Sequence, residues 1–302
     1  MMELTILGCH SATPRENKHT SSQLLEVSGN LFLIDCGEGT QMQIRKSKAK
    51  FSRLKHIFIS HLHGDHFYGL IGLISTFRLL GRTADLHIYG PSGIKEIITL
   101  QLKLAHSWTN YPLHFHELSS TRSELIYEDE GVVVSTIPLD HRVYTNGFLF
   151  TTKSKLRKIN TLSTEGLELE HFHFKQLQQG QSIELSNGKI IENEKLTLSP
   201  DPPKQYAYCS DTAYSEKIIP LISGVDLLYH EATFLESHGD LAAKTKHSTA
   251  LQAAKIAYAA GVKKLILGHY SNRYSDKEEF VKEASNVFEA VFLAEDLKTF
   301  SI

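Results

Sequence analysis

A chain of 302 residues with 41% hydrophobic residues, 22% charged residues and a formal net charge of −2 has the composition of an ordinary globular protein of one or two domains. No apolar run reaches the roughly 20 residues of a membrane span, and the opening Met1-Met2-Glu3-Leu4-Thr5-Ile6-Leu7-Gly8 lacks the basic segment and apolar core of a signal peptide, so a cytoplasmic protein with no membrane partner is expected. Three cysteines, Cys9, Cys36 and Cys209, show no CxxC spacing, which argues against a disulfide framework or a thiolate zinc site and leaves histidine and carboxylate as metal donors.

In chain order, Glu3 to Gly8 reads as a strand, and Gln23 to Val27 with Asn30 to Asp35 as a hairpin turning at Ser28-Gly29-Asn30. Arg45, Lys46, Lys48, Lys50, Arg53 and Lys55 then form an acid-free basic stretch, either a local phosphate-binding patch or a solvated face. Ile57 to Ser60 is a compact apolar strand, and Gly69 to Leu80 carries the pattern of a buried helix. Leu86 to Tyr89 reads as a strand, Gly93 to Leu104 as a helix, and Val132 to Pro138 as a strand leading to His141. Tyr206 to Cys209 leads in the same way to Asp211, Leu227 to Tyr229 to His230 and Glu231, and Lys264 to Leu267 to His269. Thr249 to Ala260, rich in alanine and followed by Gly261, is the clearest helix. Candidate ligands thus lie past the C-terminal ends of strands, where α/β proteins build their sites.

Lys153 to Pro203 differs from its surroundings: it is polar, interrupted by Gly166, Gly180 and Gly188, and closes with Ser199-Pro200-Asp201-Pro202-Pro203. About fifty residues is too long for a simple connection. Ser182 to Leu185 and Lys189 to Ile191 flank an Asn187-Gly188 turn and suggest a hairpin inside it. The expectation is one domain, residues 1–302, with residues 153–203 as an inserted arm whose basic start is Lys153, Lys155, Arg157 and Lys158.

The densest chemistry is His61-Leu62-His63-Gly64-Asp65-His66, four metal-binding side chains in six positions on a strand-to-helix loop. A tetrahedral zinc with an open position takes three protein ligands, so this crowding suggests two ions, with His61 and His63 facing one and Asp65 and His66 the other. His141 and His269 are candidates to complete one ion each, and Asp211 is a candidate bridge. Spacing alone does not select these three.

The cluster, with Asp35-Cys36-Gly37-Glu38-Gly39-Thr40-Gln41 upstream, resembles the metallo-β-lactamase superfamily of binuclear hydrolases. His230-Glu231-Ala232-Thr233-Phe234, His247-Ser248-Thr249 and Gly268-His269-Tyr270-Ser271-Asn272-Arg273-Tyr274 narrow the resemblance to the ribonuclease Z family of transfer-RNA 3′-processing endonucleases, over Leu4 to about Phe292. That resemblance implies an α/β fold, an αβ/βα four-layer sandwich of two mixed sheets. It implies two Zn2+ per chain, with Mn2+ or Fe2+ also accepted by such donors, and no organic cofactor. His61, His63 and His141 would hold one ion, Asp65, His66 and His269 the other, and Asp211 both; Asp65 would accept the proton of the attacking water. His247, with Glu231 beside it, would protonate the leaving oxygen, and the partners implied are precursor transfer RNA and a second copy of the chain. RNA contacts would fall on Lys153, Lys155, Arg157, Lys158 and Arg273. One departure stands out: Glu170-His171-Phe172-His173-Phe174 takes the place of the Gly-Pro-rich arm tip, and His171 and His173 read as surface or strand residues. Two competing readings are another binuclear hydrolase of the superfamily, such as a phosphodiesterase or thioesterase, and an RNA-binding module with a structural metal.

Overall fold

The computed structural model describes residues 2–302. Its body contains two seven-stranded mixed sheets. The first runs in spatial order Thr299–Ser301, Met2–Gly8, Ser22–Val27, Asn30–Ile34, Leu54–Phe58, Leu86–Pro91, Leu113–Leu118, antiparallel up to Asn30–Ile34 and parallel beyond it. The second runs Val291–Leu293, Leu265–Gly268, Leu227–Glu231, Gln205–Cys209, Asn146–Thr152, Val132–Pro138, Leu125–Glu128. Its first four strands are parallel, and Gln205–Cys209 is antiparallel to Asn146–Thr152. Each sheet therefore has a parallel half, and both parallel halves end in candidate ligands.

Side-chain alternation decides what each face packs against. Leu4, Ile6, Phe32, Ile34 and Phe58 point from the first sheet into a core shared with Val134, Phe148, Phe150, Tyr206 and Tyr208 of the second. Phe32 and Phe58 meet Phe150 with ring centroids 5.6 and 5.4 Å apart, so the two sheets face each other across this layer. The opposite parity, Leu31, Leu33, Ile57 and Ile59, packs with Leu70, Leu73, Ile74, Phe77 and Ile98 from helices Gly69–Leu79 and Ile94–Leu104. On the second sheet the alanine-rich helix Ala250–Ala260 presents Ala253, Ala254 and Ala257 to the core. Thr249 starts that helix by accepting from the Gln252 amide at 3.2 Å while donating its own N–H to Gln252 Oε1 at 3.0 Å, and left-handed Gly261 ends it. This is the four-layer sandwich of two mixed sheets.

Several elements depart from the sequence pattern. The strand Leu227–Glu231 includes His230 and Glu231 instead of stopping at Tyr229, which buries both. His171 and His173 lie on a helix, His171–Gln178, and not on a strand. His173 is buried, and its Nδ1 accepts the Glu170 N–H at 3.0 Å, so the ring caps the helix.

Residues Thr152–Pro203 form a separate compact unit. Leu177, Ile183 and Leu196 make its small core. Lys158–Ile159 pairs with Thr197–Leu198, and Ile183–Glu184 with Ile190–Ile191 across the Asn187-Gly188 turn. The buried Asn193 amide donates to the Leu177 and Gln181 carbonyls, both at 2.8 Å, tying helix to hairpin.

Candidate metal centre

Strand Leu54–Phe58 lies between two parallel neighbours, and the chain leaves it through buried Ser60 and His61 into the short helical turn Gly64–Phe67. The loop Asp35 to Gly37 lies against this turn: the Cys36 N–H donates to the His66 carbonyl at 2.7 Å, and the Gly69 N–H to the Cys36 carbonyl at 2.9 Å. A Cβ on Gly69 would overlap the Gly37 carbonyl, so the contact requires glycine.

Two donor sets converge here. In the first, His61 Nε2 is 3.1 Å from His63 Nδ1, and His141 Nε2 is 3.3 Å from that same atom. Asp211 Oδ2 completes the set, 3.6 Å from His61 Nε2 and 3.9 Å from His141 Nε2. In the second, His269 Nε2 lies 3.3 Å from both His66 Nε2 and Asp65 Oδ2. The other Asp211 oxygen, Oδ1, lies 3.3 Å from His66 Nε2 and 3.2 Å from His269 Nε2. One carboxylate thus turns a different oxygen to each set. Asp211 Oδ1 is buried and has no hydrogen-bond partner among the described residues, an orphan expected of a metal ligand and costly otherwise. The residues fit a pair of divalent ions held by imidazole and carboxylate.

The far side of each imidazole settles which nitrogen carries the proton. His141 Nδ1–H donates to the Lys246 carbonyl at 2.7 Å and His66 Nδ1–H to Asp35 Oδ2 at 2.7 Å. Ser60 Oγ donates to Asp35 Oδ2 at 2.8 Å, so its oxygen accepts His61 Nδ1–H at 3.0 Å. Thr233 Oγ1 likewise donates to Glu231 Oε2 at 2.8 Å and accepts His269 Nδ1–H at 2.8 Å. Four rings are thereby left with an Nε2 lone pair facing inward. Burial pushes His61 and His141 below the ordinary histidine value, toward the neutral form a metal needs. His66 goes the other way: burial opposes its charge, but Asp211, Asp65 and Asp35 outweigh burial and raise it.

His247 lies outside both donor sets and beside them, its ring stacked on His269 at 5.5 Å and its Nδ1 3.9 Å from Asp211. Its Nδ1–H donates to Glu231 Oε1 at 2.8 Å. Burial disfavours the imidazolium, but the Glu231 carboxylate outweighs burial and pushes His247 up to about 9. Glu231 itself is fully buried and accepts the backbone N–H groups of Thr212, Thr233 and Ser248 at 3.1, 2.9 and 3.1 Å. Both of its oxygens are occupied.

The candidate RNA-contacting residues divide. Arg157 donates to Thr197 Oγ1 at 2.7 Å and Ser199 Oγ at 3.3 Å, and Lys158 approaches Asp201 at 3.5 Å, so both are engaged inside the arm. Lys155 is exposed, as is Arg273 on the loop after His269. Ser60, the Lys246 carbonyl and the Ala12 N–H, which donates to Asp65 Oδ2 at 2.7 Å, are participants that sequence reading missed. Serine next to a ligand carries no pattern of its own, and backbone groups leave none at all.

Ribonuclease Z of Bacteroides fragilis is 48% identical over 294 residues, covering 97% of each chain. Ribonuclease Z of Porphyromonas gingivalis is 45% identical over 291 residues, 96% of each. Among solved structures, the short form of human tRNase Z superposes with a TM-score of 0.72 at 29% identity, covering 99% of both chains. A family model described as anti-Pycsar protein Apyc1 matches residues 2–153, the half that contains the HLHGDH cluster and His141. By these relatives the chain, whose first half also fits the Apyc1 family model, belongs to the ribonuclease Z family.

Proposed function

We propose that this protein is a zinc-dependent endoribonuclease that cuts precursor transfer RNA after the discriminator base, leaving a 3′-hydroxyl on the transfer RNA and a 5′-phosphate on the trailer. Family membership supports the substrate; the carboxylate of Asp211, split between two donor sets beside His247, which Glu231 holds, supports the chemistry. Zinc ions held by the two sets would lower the pKa of water and offset charge on the scissile phosphate. Asp65 is the acceptor for the water proton, its Oδ2 oriented by the Ala12 N–H. The ribose oxygen is a poor leaving group until protonated, and His247 supplies that proton from Nε2 while Glu231 holds Nδ1. Glu231 is a positioning residue in this reading, because its buried oxygens are filled and cannot reach substrate.

Lys155 in the arm and Arg273 in the body are exposed cations assigned to RNA, with Lys153 two residues before Lys155. A homodimer belongs to the same reading. Met42, Tyr68, Leu79, Leu80, Leu100, Leu104 and Trp108 are exposed apolar side chains on or next to the helices that cover the first sheet, and a second copy would bury such a surface. A cytoplasmic setting completes it; among the described residues no helix is long and apolar enough to cross a membrane. Zinc-loaded protein incubated with an unprocessed transfer RNA should give one cut at the discriminator, lost in His63→Ala. A phosphodiester model compound turned over faster than the RNA, or an intact RNA, would sink the proposal.

A further inference from the structure

Parallel strands Leu54–Phe58, Leu86–Pro91 and Leu113–Leu118 place His56 opposite His87, His87 opposite His114 and Tyr89 opposite His116. In-register partners share a face, so the rings form a ladder across the sheet. His56 stacks on His87 at 5.1 Å, His87 on His114 at 4.7 Å and on His116 at 5.3 Å, with ring planes within 21° of one another. None of these histidines belongs to the donor sets at the catalytic cluster.

We infer that this sheet edge is a second transition-metal site, in which Asp85, His87 and His114, with His116 as a neighbouring fourth donor, take a late first-row divalent ion such as Zn2+, Ni2+ or Cu2+. Ligand atoms of Asp85, His87 and His114 all lie within 4.8 Å of one another. Asp85 Oδ2 is 3.0 Å from His114 Nε2, and His87 Nδ1 is 3.1 Å from His116 Nε2. Nitrogen pairs in the catalytic cluster stand 3.1 to 3.3 Å apart. About 3.3 Å is also the separation that metal–nitrogen bonds of roughly 2.0 Å give at a tetrahedral angle. The mixture of imidazole and one carboxylate suits zinc, nickel and copper better than calcium or magnesium, which prefer oxygen.

Two features favour a ligand over a purely structural ladder. Behind His87, the His56 Nδ1 is buried with no hydrogen-bond partner among the described residues, so the inner end of the ladder is not closed by hydrogen bonds of its own. His114 and Asp85 are open to solvent, which gives an ion its entry path. One consequence is practical: metal analysis would count an ion that cleavage does not need.

The test is equilibrium dialysis of the full-length protein over a range of free Zn2+, with elemental analysis, for the wild type, His87→Ala and the exposed pair His114→Gln/His116→Gln. Both variants should bind one equivalent less than the wild type, and His63→Ala should retain that equivalent. In Cu2+-loaded wild type, electron paramagnetic resonance should show coupling to imidazole nitrogen that weakens in the exposed pair, whose transfer-RNA cleavage stays at the wild-type rate. Should half-buried His87→Ala fail to fold, the exposed pair decides alone. Equal stoichiometry in the wild type and the exposed pair, with an unchanged copper signal, would overturn the inference.

Discussion

Asp35 belongs to neither donor set, yet it orients His66 of the second, and substituting it separates those roles. Its carboxylate is fully buried and accepts four hydrogen bonds: Ser60 N–H at 2.7 Å, Ser60 Oγ at 2.8 Å, Tyr208 Oη at 2.6 Å and His66 Nδ1–H at 2.7 Å. Asp35→Ala would leave four buried donors unpaired at about 1–3 kcal/mol each. Against a total stability of about 5–15 kcal/mol that change endangers folding. Asp35→Asn is the informative variant. Its oxygen can keep the Ser60 N–H, and the Ser60 and Tyr208 hydroxyls can rotate to accept from its amide, but His66 Nδ1–H then faces a donor. The cheapest remedy moves the His66 proton to Nε2, the atom aimed at Asp65, Asp211 and His269. Loss of such an orienting partner weakens metal binding about 10–100-fold, or about 1.4 to 2.8 kcal/mol. Zinc competition against a chromophoric chelator should therefore show a raised Kd, with the metal-free melting temperature close to wild type and cleavage recovered at high zinc. An unchanged zinc Kd in a folded variant would refute the tautomer argument.

Other outcomes follow from the same geometry. His247→Ala should lower kcat by about 10²–10⁴-fold with metal content intact, measured by single-turnover cleavage beside elemental analysis; loss of bound metal would instead make His247 a ligand. Because Glu231 raises His247, the acid form is present at neutral pH and disappears as pH rises through a value near 9, so cleavage should fall on the alkaline side. Glu231→Gln should move that limb to lower pH; bound cations shift both proteins alike, so the difference is the readout, and coincident profiles would rule out the pairing. By linkage, the stability from this pair is fully present below the unfolded histidine value near 6.5 and is lost between there and about 9. Chelation should abolish cleavage and lower the melting temperature, both reversed by zinc, since an ion bound only to the folded state stabilises it. Lys155→Ala should weaken transfer-RNA binding and reduce its salt dependence by about one counterion without a thermal shift, whereas Arg157→Ala should destabilise the arm by severing Thr197 and Ser199.

How much of this was legible depended on whether the information was local. The strand before His61 and the capped helix after Thr249 are written in contiguous residues, and the structure has both within a few positions. Strand Leu113–Leu118 was not, because an edge strand alternating Leu113, Phe115 and Glu117 with His114 and His116 has no apolar run to announce it. Nor was the matching layout of the two sheets, whose strands share a plan of parallel and antiparallel halves without sharing residues. At the site, the HLHGDH cluster declares itself by density. His141, Asp211 and His269 lie far apart in the chain, and only the motifs shared with a family selected them; topology then brings them within ligand distance of the cluster. Of the arm histidines, His171 is the surface residue expected, whereas His173 is buried on a helix, where its capping contact with Glu170 and the burial of Leu177 one turn later hold it.

Ala12 and Lys246, whose backbone groups meet Asp65 and His141, have φ of 56° and 59°, and two residues that give the centre their side chains carry the same conformational load. Asp35, after the central strand of the first sheet, has φ of 56°, and His269, after the strand next to one edge of the second, has φ of 60°. For residues with a Cβ this left-handed region costs about 1–2 kcal/mol. Glycine would relieve it at either place. At Asp35 that would remove the acceptor that sets the His66 tautomer, and at Asp65's partner His269 it would remove a donor from the second set. The backbone conformation is what turns each side chain back over the strand ends, and the side chain is what the site requires, so neither half of the strain can be given up separately. Hydrogen bonds from Ser60 and Tyr208 on one side, and to Thr233 on the other, hold the two strained residues in place. Each sheet thus supplies one side chain of the centre from a left-handed residue at a strand end.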